Sequence, residues 1–134
     1  MKQIEGEAPM FQNLDVFRTA MAMARHAGLQ QAVSAQNIAN ADTPGYRARD
    51  IPAFASTLRD AMGSQRATRA SHLHGGSSRD IDMTERRDAL DPNGNTVSLE
   101  EEMVMAVGAK RQHDRALAIY RSNLTMLRAA LGRG

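Results

Sequence analysis

Ser34-Ala35-Gln36-Asn37-Ile38-Ala39-Asn40-Ala41-Asp42-Thr43-Pro44-Gly45-Tyr46 holds the end of one regular element and the start of an irregular one. Upstream of it, Leu14, Phe17, Met21, Ala24, Gly28, Gln31, Ala35 and Ile38 recur at spacings of three and four, with Leu29 and Val33 beside them, which predicts one long helix. The stripe is thin, because Ala and Gly let helices approach closely but bury little area. Asn13 is the expected cap, with Asp15 near the positive end of the helix dipole. At the other end Pro44 disfavours helical geometry at Thr43, and Gly45 supplies the turn. The expected helix occupies residues 12–43, after a flexible leader at 1–11.

A second helix is expected over residues 98–132. Ser98 is the N-cap, Glu101 stands at the capping-box position, and Glu100 and Glu102 favour the same end. Met103, Ala106, Lys110, His113, Leu117, Tyr120, Leu124, Leu127 and Leu131 follow at helical spacing. Each helix, at ~1.5 Å per residue, reaches roughly 45 Å, against a radius of gyration of roughly 14 Å for a compact chain of this size. The expected fold is therefore mainly α, with long N- and C-terminal helices pairing in a coiled-coil-like rod. More apolar stripe is present than two helices can mutually bury, which points to assembly.

Residues 44–97 read as an irregular or short-strand middle, either disordered in the monomer or ordering against neighbours. Its apolar islands are Ile51, Phe54 and Leu58, then Leu73, then Ile81 and Met83. Asp91-Pro92-Asn93-Gly94-Asn95 reads as a turn suited to a tight hairpin, with a short strand over Thr96–Leu99.

Composition narrows the function. The chain has 134 residues, no Cys and no Trp, and only 4% aromatic residues, so disulfides and thiolate chemistry are excluded and an independent dense core is not expected. Seventeen basic and 15 acidic residues interleave along the chain, which argues against nucleic acid. Arg47, Arg49, Arg59, Arg66, Arg69 and Arg79 form a weaker third reading as a basic arm. There is no 18-residue apolar run and no signal-peptide pattern, so no transmembrane segment is expected, and any export would use a route without a cleaved signal.

No catalytic, cofactor or metal residues are expected. His72 and His74 lack completing ligands, and His26 and His113 sit on different helices. Asp91, Asn93, Asn95 and Glu102 match four calcium-loop positions, but Thr96 stands where the turn glycine belongs. Glu100-Glu101-Glu102 is accounted for by helix-end electrostatics.

The stretch quoted at the outset, with NIANADTPGY at its core, resembles the N-terminal signature of the bacterial flagellar rod and hook proteins. Arg49-Asp50-Ile51 followed by Phe54, the Thr68–Leu73 segment, and Asp91-Pro92-Asn93-Gly94-Asn95-Thr96-Val97 leading into an acidic helix start resemble the proximal-rod type within that family. The short length also fits a rod component without a large inserted domain. The resemblance implies a non-enzymatic structural subunit of the basal-body rod, joining the membrane ring and its adaptor to the rest of the rod and supporting torque transmission and motility. It further implies terminal helices packed in an inner tube, export by the flagellar type III machinery, and a periplasmic rod location. Implied partners are other rod subunits, the rod–ring adaptor protein and further copies of the chain.

The residues suggest roles for the signature. Asn37 and Asn40, three apart, share a face suited to packing or to termination hydrogen bonds. Thr43, Pro44 and Gly45 redirect the chain, Ile38 belongs to the same assembly motif, and Tyr46 offers an amphipathic ring for a subunit junction. Met103, Leu117, Tyr120, Leu124, Leu127 and Leu131 are the expected packing residues of the second helix. Two features depart from the family pattern: His113 stands where many relatives carry Tyr, and the leader over Met1–Pro9 is long. The alternative is a soluble helical binding or chaperone-like module that does not polymerise.

Overall fold

A computed structural model of the chain describes residues 8–63, 81–88 and 91–132, without the side chains of 8–11 and 61–63. The fold is mainly helical: α1 spans Ala8–Ala39, β1 Arg49–Asp50, α2 Phe54–Gly63, β2 Thr84–Glu85 and α3 Leu99–Ala130. The two short strands pair antiparallel, with Arg49 opposite Glu85 and Asp50 opposite Thr84. The Thr68–Leu73 segment, Arg66, Arg69, His72, His74 and Arg79 lie outside the described residues.

Two compact units are present, one drawn from Met1–Ala32 and Met103–Gly134, the other spanning Val33–Glu102. In the first, α1 and α3 pack antiparallel. The Asn123 side-chain amide donates to the Asn13 carbonyl at 2.9 Å, the Phe17 and Tyr120 rings meet edge to face with centroids 5.0 Å apart, and Gln112 Nε2 lies 3.2 Å from His26 Nδ1. Position on one helix falls as position on the other rises.

The seam between them is built from small residues. Ala20 and Ala27 on α1, and Ala109 and Ala116 on α3, are almost wholly buried, and each pair is spaced by seven. A seven-residue period keeps one face of a helix against its partner. Alanine lets the backbones approach, and the polar contacts of Asn123 and His26 interrupt the apolar seam. The large-residue stripe expected on α1 is not this seam: Leu14 and Met21 are nearly half exposed, and Gly28, Gln31 and Ala35 face solvent. Large hydrophobic side chains dominate a sequence pattern by weight, whereas close helix approach selects small ones.

Local signals settled the helix ends unevenly. Ser98 caps α3, its hydroxyl accepting from the Glu101 N–H at 3.4 Å and its carbonyl from the Glu102 N–H at 2.9 Å. Past the other end, Gly132 takes φ +83°, the left-handed conformation that suits a residue following a helix. Asn13, by contrast, is no cap: α1 starts at Ala8 and runs through it. Thr96–Leu99 is not a strand either. Gly94 N–H donates to the Asp91 carbonyl at 3.0 Å to close a turn, yet among the described residues no strand adjoins it and Leu99 already opens α3. The middle instead holds α2, signalled only by Phe54 and Leu58 one turn apart.

If close approach at the alanine seam holds the first unit together, Ala109→Leu should lower stability by about 1–3 kcal/mol through overpacking. The exposed Met126→Ala should change it by no more than about 0.5 kcal/mol. Urea denaturation followed by circular dichroism measures both.

Candidate functional site

In the Val33–Glu102 unit two signature residues, Asn37 and Tyr46, meet Arg49 and Glu102 around one carboxamide. Asn37 is fully buried at the last turns of α1. Its amide donates to the Arg49 carbonyl at 2.8 Å and to Glu102 Oε1 at 3.0 Å. Its oxygen accepts from the Arg49 N–H at 2.9 Å and from the Tyr46 hydroxyl at 3.2 Å. Two donors and two acceptor sites are the whole capacity of an asparagine side chain, and all are used. Because Arg49 and Glu85 are not hydrogen-bonded to each other, the N–H and C=O of Arg49 point away from β2. Asn37 takes both and stands in for a third strand.

Glu102, also fully buried, joins the start of α3 to this group. Its Oε1 lies 2.9 Å from Arg86 Nη2, while Oε2 has no hydrogen-bond partner among the described residues. Arg86 grips Asp50 with two bonds, Nε to Oδ2 and Nη2 to Oδ1, both at 2.6 Å, and reaches Glu101 at 3.4 Å. The hydrogen bond to Asp50 is the largest influence raising the Arg86 pKa further above its ordinary value; burial opposes it, and the charges of Asp50, Glu102 and Glu101 add to it. Glu102 is therefore more than a helix-end charge: its carboxylate lies in the interior, where only a fixed cation and a donor make it tolerable.

A second asparagine closes the end of α1. Asn95, fully buried, donates its amide to the carbonyls of Asn40, Ala41 and Thr43 at 2.9, 2.8 and 2.8 Å, and accepts from the Val97 N–H at 2.8 Å. These carbonyls lie at and just past the end of the helix, where no intrahelical donor reaches them. Asn95 thus serves the turn rather than a calcium loop, its amide spent on carbonyls and Glu102 committed to Arg86. Among the described residues no metal-binding cluster of His, Cys, Asp and Glu occurs. Buried Thr96 accepts from the Ala48 N–H at 2.7 Å and gives its own N–H to the Tyr46 carbonyl at 3.1 Å. Gly45 takes φ +70° and donates to the Asn93 carbonyl at 3.0 Å. A side chain on Gly94 would sit 3.6 Å from the Gly45 Cα, so two glycines meet where the turns touch.

Not every signature residue enters the cluster. Asn40 Nδ2 donates to the Gln36 carbonyl at 2.8 Å and terminates the helix, with the Thr43 hydroxyl on its oxygen at 3.3 Å. Ile38, Thr43, Pro44 and Gly45 are exposed, and Tyr46 is half-buried. On α3, Tyr120, Leu124 and Leu127 are half-buried, whereas Met103, Leu117 and Leu131 are exposed. His113 is half-buried. Arg86, Asp50, Asn95 and Thr96 had no sequence signal as partners: Asp50 lies 36 positions from Arg86, and Asn95 and Thr96 meet residues 48 to 55 positions away.

Replacing Arg86 by Leu should cost about 3–5 kcal/mol, because it strands the buried Glu102 charge. The double variant Arg86→Leu with Glu102→Leu should lose clearly less than the sum of the two single variants. A double-mutant cycle by chemical denaturation decides it; simple additivity would mean that the pair is not coupled.

The model of the family described as flagella basal body rod protein matches residues 17–47, from within α1 through the Gly45 turn. The flagellar basal body rod protein FlgB of Agrobacterium fabrum is 30% identical over 118 residues, covering 83% of this chain and 88% of that protein. The FlgB of Salmonella typhimurium is 36% identical over 107 residues, 71% of this chain and 77% of its own length. A shorter match to the FlgB of Escherichia coli is 67% identical over 33 residues, 25% of this chain and 23% of that protein. With similarity extending over most of both chains, the protein belongs to the FlgB family of flagellar basal body rod proteins.

Proposed function

We propose that the chain is a structural subunit of the proximal part of the flagellar rod, placed between the membrane ring with its adaptor and the rest of the rod, where it carries torque. Its proposed partners are other rod subunits, the rod–ring adaptor protein, further copies of itself and, during secretion without a cleaved signal, the flagellar export machinery. Its proposed place is the periplasmic rod. Among the described residues no helix is long and apolar enough to cross a membrane.

The observation that carries this reading is the apolar surface left on α3. Met103, Val104, Met126 and Leu131 are 65%, 73%, 62% and 81% exposed, and Val107 is half exposed, while alanines occupy the seam. Isolated exposed hydrophobic residues are ordinary, but so many large ones on one helix suit coverage by neighbouring helices. In this reading Met103, Leu117, Tyr120, Leu124, Leu127 and Leu131 supply the packing of α3, and the name shared by the relatives supports it. The Asn37 cluster would hold the turn after α1 in one shape for such packing, and Tyr46 would line the junction.

In a strain lacking its own proximal rod subunit, the unaltered chain should restore swimming. Val104→Glu and Met126→Glu should each abolish that rescue while far-ultraviolet circular dichroism stays unchanged, since both side chains already face solvent. Removal of Leu124–Gly134 should abolish it as well. Swimming by both glutamate variants and by the deletion would overturn the assembly role of α3.

A further inference from the structure

On the β1–β2 ladder, the register that sets Arg49 opposite Glu85 is continued by a bond from the Arg86 N–H to the Ala48 carbonyl at 2.9 Å. One more step sets Arg47 opposite Arg87. Like the Arg49–Glu85 pair, this is a position without direct ladder hydrogen bonds, where facing side chains come closest. Like charges in such positions are destabilising. Arg47 and Arg87 are both exposed, neither has a carboxylate partner among the described residues, and both line one open cleft of about 690 Å³ with Thr84 and Glu85. Arg49 lies on the same face by strand alternation, so three guanidinium groups stand there against the single carboxylate of Glu85. The opposite face is the closed one, where Ala48 is buried and Arg86 holds Asp50 and Glu102.

The same unit carries an opposite feature elsewhere. Asp42 follows the carbonyl end of α1, where the helix dipole disfavours a negative charge. Asp91 opens the neighbouring turn, which the Gly45–Asn93 hydrogen bond ties to the turn holding Asp42. Both aspartates are exposed, and neither has a cationic partner among the described residues. The facing arginines are therefore unfavourable in the lone chain, and the two aspartates on the linked turns carry the complementary charge.

We propose that the Arg47–Arg87 cleft is an intersubunit site that receives the Asp42–Asp91 tip of a second copy of this chain. This deepens the rod-subunit reading and rests on it. Two different, complementary patches on one molecule allow a heterologous, head-to-tail contact, which propagates along a helical assembly, and linked ladders rather than a single dimer band are its signature. Guanidinium forks suit carboxylates bidentately, so the contact also fixes orientation between copies.

Charge reversal tests it in the rod-subunit-deficient strain, with the unaltered chain as the separate test of the rod reading. Arg47→Asp with Arg87→Asp should abolish swimming, and Asp42→Arg with Asp91→Arg should do the same. The chain carrying all four substitutions should regain at least half of the unaltered swimming rate, because the charges again match between copies. Purified variants should keep the parent helical signal and melting temperature, which separates loss of contact from loss of fold. Because the chain has no cysteine, Thr84→Cys with Pro92→Cys gives a specific reporter: mild oxidation of cells should yield ladders of linked copies that the double arginine reversal removes. Swimming by either double reversal, failure of the fourfold variant despite native folding, or ladders that persist after arginine reversal would each overturn the site while leaving rescue by the unaltered chain intact.

Discussion

The Val33–Glu102 unit depends on the complete hydrogen bonding of one buried carboxamide. Asn37 reaches from α1 to both backbone groups of Arg49, to the Tyr46 hydroxyl and to Glu102 at the start of α3. Leaving any of these buried groups unpaired costs about 1–3 kcal/mol, so the constraint is strong without any large apolar residue. A short ladder of two residues per strand is not stable alone; the Asn37 amide on one edge and the Asp50–Arg86–Glu102 chain of charges make it persist. Asn95 performs the complementary task for the carbonyls past α1.

In the other unit the same economy appears in apolar form. Alanine at seven-residue intervals brings α1 and α3 close, and the Phe17–Tyr120 ring pair adds one aromatic contact. Little area is buried per residue, and the larger side chains remain at the surface of α3. A seam of this kind suits a family whose relatives are rod components, since it leaves the larger hydrophobic residues available to neighbours.

Much of this was legible locally. Periodicity, the Ser98 cap, and Pro44 with Gly45 announced two long helices and the turn after the first, because capping and backbone preference act over a few residues. The NIANADTPGY core read as a signature for packing or helix termination, and the cluster centred on Asn37 was not legible from it. The buried face of α1 was not legible, since Leu14 and Met21 outweigh Ala20 and Ala27 in any hydrophobic pattern. Nor was the role of Glu102, which is indistinguishable in sequence from Glu100 and Glu101; only its place one position on, facing Asn37 and Arg86, sends it inward.

The sequence by itself determined the helical class and the absence of thiol chemistry, both consequences of short-range geometry and composition, whereas α1 spans Ala8–Ala39 rather than the expected 12–43. Tertiary structure alone decided which asparagine is a junction and which is a helix stop, which glutamate is buried, and that Arg47 and Arg87 share a cleft. Those outcomes rest on partners beyond the reach of one helical turn, from 9 to 65 positions away, or on strand register, and no local propensity encodes either.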